Sequence, residues 1–219
     1  MRSVSAEPPA SADPTPSRPR TRGKDLGPRH EDKRIAILRT AAQLFAANGY
    51  EGTSLDAIAE RMGMHKATLY HYVKGKETIL YECLVQSFGD LDAVMSRMAD
   101  RTVPVRERLR DFVHSLAKAQ NNDFGRCLVL VGARPLDLLP GGEIRKFQRR
   151  LDHTVRALVV EGIADGSVSP RNPGLVSAML FGAMNWVPHW YSDRGKLALT
   201  EVVDEFVEML WNGIAAPRR

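Results

Sequence analysis

Only two cysteines, Cys83 and Cys127, occur in 219 residues, and they do not form a CxxC pair. That excludes a disulfide framework and a cysteine-built zinc site, and it predicts two buried free thiols in a reducing compartment. No apolar run approaches the roughly 18 residues of a membrane-spanning helix. The N-terminus lacks the apolar core of a signal peptide, so the expected location is the cytoplasm, with no membrane partner. No stretch alternates apolar and polar residues as a strand does, which points to an all-α chain. His114, His153 and His189 are scattered, and no HExxH, nucleophile elbow, P-loop or GxGxxG occurs. The expectation is therefore no enzyme, no metal and no cofactor.

What is present is a mildly basic chain with an apolar fraction of 43% and a net charge of +5. Such a balance suits nucleic acid, a membrane surface or an acidic ligand without choosing among them. Residues 1–29 are rich in Pro, Ser and Ala, and their second half carries Arg18, Arg20, Arg22, Lys24 and Arg29. Composition predicts a disordered basic arm there, either merely solvated or adding phosphate and minor-groove contacts.

From there the apolar residues recur at helical spacing. A first helix is expected from Glu31 to Asn48, with Ile35, Leu38, Ala42 and Phe45 inward and Gly49 as its left-handed stop. Thr53, with Asp56 three residues on, approximates a capping box for a second helix that buries Leu55, Ile58, Ala59 and Met62. A short third helix is expected over Lys66–Lys74. Helix, tight glycine turn and short helix together read as a helix-turn-helix over residues 30–76. On the third helix Leu69 and Val73 lie four apart and face inward. Lys66, Ala67, Tyr70 and Lys74 face outward, flanked by Thr68, His71 and Tyr72. Small residues permit close approach, and the polar tips reach base edges or phosphates in a major groove. Lys76 opens a fourth helix, running toward Asp100, where free N–H groups favour an anion.

The stretch "RTAAQLFAANGYEGTSLDAIAERMGMHKATLYHYVKGKETIL" strongly resembles the tetracycline-repressor (TetR) family of bacterial regulators. The shared pattern runs A-x-x-L-F-x-x-x-G-Y-x-x-T-S-x-x-x-I-A-x-x-x-G-M-x-x-x-T-L-Y-H-Y-x-K-x-K-E. The resemblance implies phosphate contacts from Thr53 and Ser54, base and nearby backbone contacts from Lys66, Ala67, Thr68 and Tyr70, and phosphate contacts from His71, Tyr72 and Lys76. Two positions depart from it. His65 stands where Ser or Thr often caps the recognition helix, and Gly75 stands where Ser or Asn often precedes the next helix.

Residues 77–219 are then expected to form a helical ligand-binding and dimerisation domain. Pro104 should open a helix reaching Gln120. "FGRCLVLVGARPLDLL" reads as a buried helix broken near Pro135, and a long amphipathic helix follows over residues 141–166. Pro173–Tyr191 is apolar nearly all round, so one face needs a partner. In TetR-like proteins the last two long helices build a four-helix dimer interface. That implies Leu175, Met179, Phe206, Leu210 and Trp211 at a homodimer contact and an inverted-repeat operator in double-stranded DNA. "NWVPHWYSDRGKL" resembles a C-terminal signature of a TetR subgroup that regulates fatty-acid, steroid and related acyl-thioester catabolism. Met184, Asn185, Trp186 and Trp190, with Phe147 and Leu151, are the candidate walls of a pocket, with Pro188 kinking its helix. The same residues also read as plain core. Arg126, Arg134, Arg145, Lys146, Arg149, Arg150 and Arg156 are the candidate cations for the phosphates of a coenzyme A ligand. The expected function is a repressor released by a small hydrophobic effector, an acyl-CoA among the candidates. A drug-efflux repressor sensing aromatic cations and a ligand-independent DNA-architectural protein are the alternatives.

Overall fold

The structure, a computed structural model, describes residues 28–89, 91–137 and 142–214. Among the described residues it has eleven α-helices and no strand, in agreement with the all-α expectation. They are α1 (Pro28–Asn48), α2 (Leu55–Arg61), α3 (Lys66–Leu69), α4 (Lys76–Phe88), α5 (Leu91–Arg97), α6 (Val105–Asn121), α7 (Asp123–Leu130), α8 (Ala133–Leu136), α9 (Glu143–Ala164), α10 (Pro173–Trp190) and α11 (Leu199–Ile214).

The N-terminal unit is held by apolar residues at the predicted spacing. Ile37, Leu38, Phe45, Ile58 and Leu69 are each wholly buried. Gly63, at φ +63°, turns α2 into α3 in a backbone conformation that L side chains rarely adopt. The arm expected over residues 1–29 lies outside the described residues, except that Pro28 and Arg29 already belong to α1. Its boundary therefore falls at least two residues earlier than composition suggested. The cap of α2 is Ser54, whose Oγ accepts from the Ala57 N–H at 3.1 Å, and not Thr53.

Three helix boundaries differ from the sequence reading, each for a local reason. α3 is one turn long instead of extending to Lys74. No side chain caps it at His65, and the His71 and Tyr72 N–H groups bond three residues back, to Thr68 and Leu69 carbonyls. Such bonds tighten the chain into a 3₁₀-like end. The fourth helix stops at Phe88, where the Gly89 N–H closes it on the Val85 carbonyl, and α5 is a separate helix packed on α6. The break expected at Pro135 occurs earlier, at Gly132 with φ +78°, leaving Pro135 inside the short α8. Pro188 lies in the last turn of α10, so it limits where that helix ends.

Two contacts tie the N-terminal unit to the rest. α4 continues the chain, and α7 packs on both α1 and α4. At the start of α7, Asp123 accepts from Arg39 at 3.1 Å and from Gln43 at 3.2 Å, both on α1. Ser87 on α4 donates to the Ala119 carbonyl of α6 at 2.6 Å. Elsewhere the buried Arg108 donates to the Val103 and Met98 carbonyls and pairs with Glu161, clamping the α5–α6 loop to α9.

Candidate functional site

Two places can do chemistry of recognition. The first is the outer side of α2 and α3. Leu69 and Val73 are buried, as the helical wheel required, and they turn Lys66, Ala67, Thr68, Tyr70 and His71 outward. Tyr70 is 50% exposed and is the most prominent apolar body on this face. Ser54 is exposed while its oxygen caps α2. Lys66 is exposed and paired with Asp56 at 2.8 Å, which holds its pKa above the ordinary lysine value through that hydrogen bond. An anionic duplex would compete with Asp56 for the same ammonium group.

Three residues of the predicted DNA set are placed differently. Thr53 is 1% exposed, and its hydroxyl donates inward to the Gly49 carbonyl at 2.9 Å. It pins the α1–α2 turn and offers no hydroxyl to a phosphate. Lys76 is mostly covered. Its Nζ donates to the Tyr50 carbonyl at 2.8 Å and sits 4.3 Å from the centroid of the Tyr50 ring. That ammonium group is therefore an internal clamp between α4 and the α1–α2 turn. Burial, with Glu77 and Glu51 close by, pushes the Tyr50 phenol pKa up. The Tyr72 ring stacks on His30 of α1 at 4.5 Å, so one aromatic face is spent inside the unit. Spacing alone cannot reveal these, because a lysine stem or a hydroxyl can bend back onto its own domain.

The second place is a cavity of about 490 Å³ among α4, α6, α7, α9 and α10. Its volume lies in the range of small-molecule sites. Of the six candidate pocket residues, Phe147, Leu151, Asn185 and Trp186 line it. Met184 and Trp190 do not. Met184 is 1% exposed and borders a smaller groove between α10 and α11, and Trp190 projects from the far end of α10. The sequence reading missed Phe88, Leu116, Gln120 and Phe181, which come from other helices or were read as ordinary core. Gln120 is 4% exposed, and its Nε2 donates to Asn185 Oδ1 at 2.6 Å. Gly182, Asn185, Trp186 and His189 form the exposed mouth, where Trp186 stacks on His189 at 4.4 Å.

A cleft of about 470 Å³ adjoins this cavity and shares Phe88 and Phe147 with it. Those two rings pack at 4.9 Å. Lys146 and Arg150 line the cleft. Of the other candidate cations, Arg126 donates to the Tyr191 carbonyl, Arg145 pairs with Asp137 and Arg156 pairs with Asp152.

On the outside of α10, Leu175, Met179, Trp186 and Trp190 form one stripe and are 71%, 54%, 62% and 49% exposed. Exposure of that size on one helix marks an uncovered contact face. Met209 on α11, 61% exposed, extends it and went unread in the sequence. Phe206 borders the α10–α11 groove, whereas Leu210 is already 8% exposed within the chain. Trp211 is half-buried beside Arg106, 6.0 Å from its ring centroid, so neither Leu210 nor Trp211 stands out as a free anchor.

Comparison with known proteins gives two matching family models. Residues 37–83 match "Bacterial regulatory proteins, tetR family", and residues 102–214 match "Tetracyclin repressor-like, C-terminal domain". The HTH-type transcriptional repressor KstR2 of Mycolicibacterium smegmatis is 24% identical, covering 91% of this chain and 94% of its own. The fatty acid metabolism regulator protein of Bacillus subtilis is 23% identical, covering 83% and 95%. Among solved structures, AibR in complex with isovaleryl coenzyme A and operator DNA aligns with a TM-score of 0.69 at 25% identity, covering 82% and 98%.

Proposed function

The chain belongs to the tetracycline-repressor family of bacterial transcriptional regulators, and on that premise we propose that it is a homodimeric repressor of an inverted-repeat operator, released by a small hydrophobic effector. The observation that carries the DNA half is the outer face of α3. Leu69 is wholly buried while the small and polar residues around it are exposed, with Tyr70 foremost. A two-fold dimer through the α10 stripe and Met209 would present two such faces to successive major grooves, about 34 Å apart.

The effector half is supported by the apolar cavity and its neighbouring cationic cleft. An acyl-CoA suits both: the acyl part fills the cavity, and Lys146 and Arg150 meet phosphate charge. Similarity to a fatty acid metabolism regulator and to AibR, solved with isovaleryl coenzyme A, supports the same class. α7 borders the cavity through Leu128 and Val129 and touches α1 through Asp123. Effector binding that shifts α7 would tilt the recognition face directly, alongside any change carried by α4. Couplings of this kind are about 1–3 kcal/mol, or roughly 5- to 150-fold in operator affinity.

Selection from random duplexes, followed by anisotropy titration with and without short- and long-chain acyl-CoAs, tests the reading. Inverted repeats whose affinity falls with an acyl-CoA and not with free CoA are expected. Operator affinity indifferent to every thioester and to aromatic cations would replace the repressor with a constitutive DNA-binding protein.

A further inference from the structure

The cavity wall contains one polar group that the protein leaves unserved. Gln120 is 96% removed from solvent, given its 4% exposure, and lies on α6 facing the cavity. Its Nε2 is spent on Asn185 Oδ1 at 2.6 Å, and its Oε1 is buried with no hydrogen-bond partner among the described residues. The same cavity is walled by Leu116, Phe147, Leu151 and Phe181, whose side chains cannot donate, and its other polar members are Gln148, Asn185, Trp186 and His189. A buried carbonyl oxygen without a donor is rare in folded proteins and costs free energy unless something else serves it. Core packing does not explain it, since a Leu or Met would fill the same space without that cost.

We propose that Gln120 sets the specificity of this cavity: its Oε1 accepts a hydrogen bond from an O–H or N–H donor carried by an otherwise apolar effector. The inference rests on the cavity being the effector site. Asn185, at the mouth, holds the Gln120 amide through that hydrogen bond and acts as its positioning residue. A ligand made only of C–H groups would leave Oε1 unpaired. An isosteric ligand with a donor at that point avoids the penalty, a discrimination of about 5- to 150-fold for a neutral pair. Two ligand chemistries satisfy it: a hydroxyl on the apolar body, or an amide N–H such as a pantetheine arm offers.

The test uses the full-length protein and four small rigid probes by calorimetry: 2-naphthol, 2-acetamidonaphthalene, 2-methoxynaphthalene and naphthalene. The donor-bearing naphthol or acetamide should bind at least about fivefold tighter than the methoxy compound and naphthalene. Preference for naphthol alone assigns a hydroxyl, and preference for the acetamide alone assigns an amide. In the double variant Gln120→Met/Asn185→Leu the preference should collapse to less than about twofold, and the melting temperature should rise, because an unpaired amide has been removed. A structural role for the pair predicts a lower melting temperature instead. Gln120→Met alone, which nearly preserves volume, reads the same loss of preference if the double variant does not fold. Equal binding of naphthol and its methyl ether to the wild type overturns the donor inference and leaves the cavity as effector site. Binding of none of the four overturns both.

Discussion

Gly125 is where three helices meet, and Gly125→Ala measures how tightly they do. A Cβ built there would overlap the Ala119 carbonyl oxygen of α6 and lie 2.8 Å from its carbon and 2.5 Å from Ser87 Oγ of α4. Ser87 can rotate away, at the loss of its hydrogen bond to Ala119, a cost of about 1 kcal/mol. The α6 backbone cannot rotate, so α7 must back off by roughly 1.5 Å to restore van der Waals distance. Overpacking of that kind costs about 1–3 kcal/mol. Alanine returns up to about 1 kcal/mol of helix propensity. The net loss is about 2 kcal/mol, which in a chain of this size lowers the melting temperature by about 4–8 °C. Calorimetry on the dimer at fixed protein concentration reads it directly. Anisotropy on the selected operator should also change, because the displaced α7 carries Asp123, which holds Arg39 and Gln43 of α1. A melting temperature at or above wild type would refute the reasoning, since propensity would then outweigh a contact that is looser than described. Full recovery by adding Ser87→Ala would place the clash on the hydroxyl and not on the α6 backbone.

Other perturbations separate recognition from support. Tyr70→Ala should weaken operator binding by about 5- to 150-fold, with a melting temperature within about 2 °C of wild type by calorimetry. Lys76→Met should do the reverse of a pure phosphate contact: urea titration should show about 1–2 kcal/mol of lost stability from the broken Tyr50 carbonyl bond and ring contact. The hydrogen bond from Arg108, outweighing the upward effect of burial, holds the Glu161 carboxyl below its usual range. A depressed folded value means the pair stabilises at neutral pH and the contribution is lost as pH falls below about 4.3 and through the folded value. Glu161→Gln should therefore lower stability at pH 7 by about 2 kcal/mol, discounted because Glu161 is 24% exposed, and flatten the acid limb of the melting curve. Cys83 and Cys127 are both wholly buried, and the hydrogen bond between them, with burial, pushes the Cys83 thiol up. Neither should react with Ellman's reagent until the protein unfolds.

The N-terminal unit was the most legible part of the sequence. Leu69 and Val73 four apart, with glycine before them and Tyr70, His71 and Tyr72 between, specify one buried side and one offered side. That is a statement about a single helix, and periodicity carries it. Lys76 and Thr53 escaped because their partners are the Tyr50 and Gly49 carbonyls, backbone groups with no signature of their own. The cavity was half legible. Trp186 and Asn185 belong to a recognisable run, and Phe147 and Leu151 to the apolar stripe of α9. Met184 was assigned to the cavity because α10 is apolar all round, and hydrophobicity does not say which neighbour lies on which side. Gln120 sits near the end of a strongly amphipathic helix, where a glutamine reads as solvent-facing. Only the approach of Asn185 from 65 positions away reveals its burial. The break at Gly132, with φ +78°, is a glycine effect that a longer apolar pattern masked.

The packing of α7 against α1 bears on how such proteins can be recombined. A chimera cut at residue 76 would seem to detach a self-sufficient DNA-reading module, since the chain crosses only once, through α4. The surface does not divide there. Arg39 and Gln43 would leave with the module and Asp123 would stay behind, as would the α7 side chains that cover α1. A graft onto a foreign effector domain must therefore bring a matching α7, or it inherits an exposed helix flank and unanswered charges. The unit of exchange between relatives is a surface and its lid, contributed by residues some eighty positions apart.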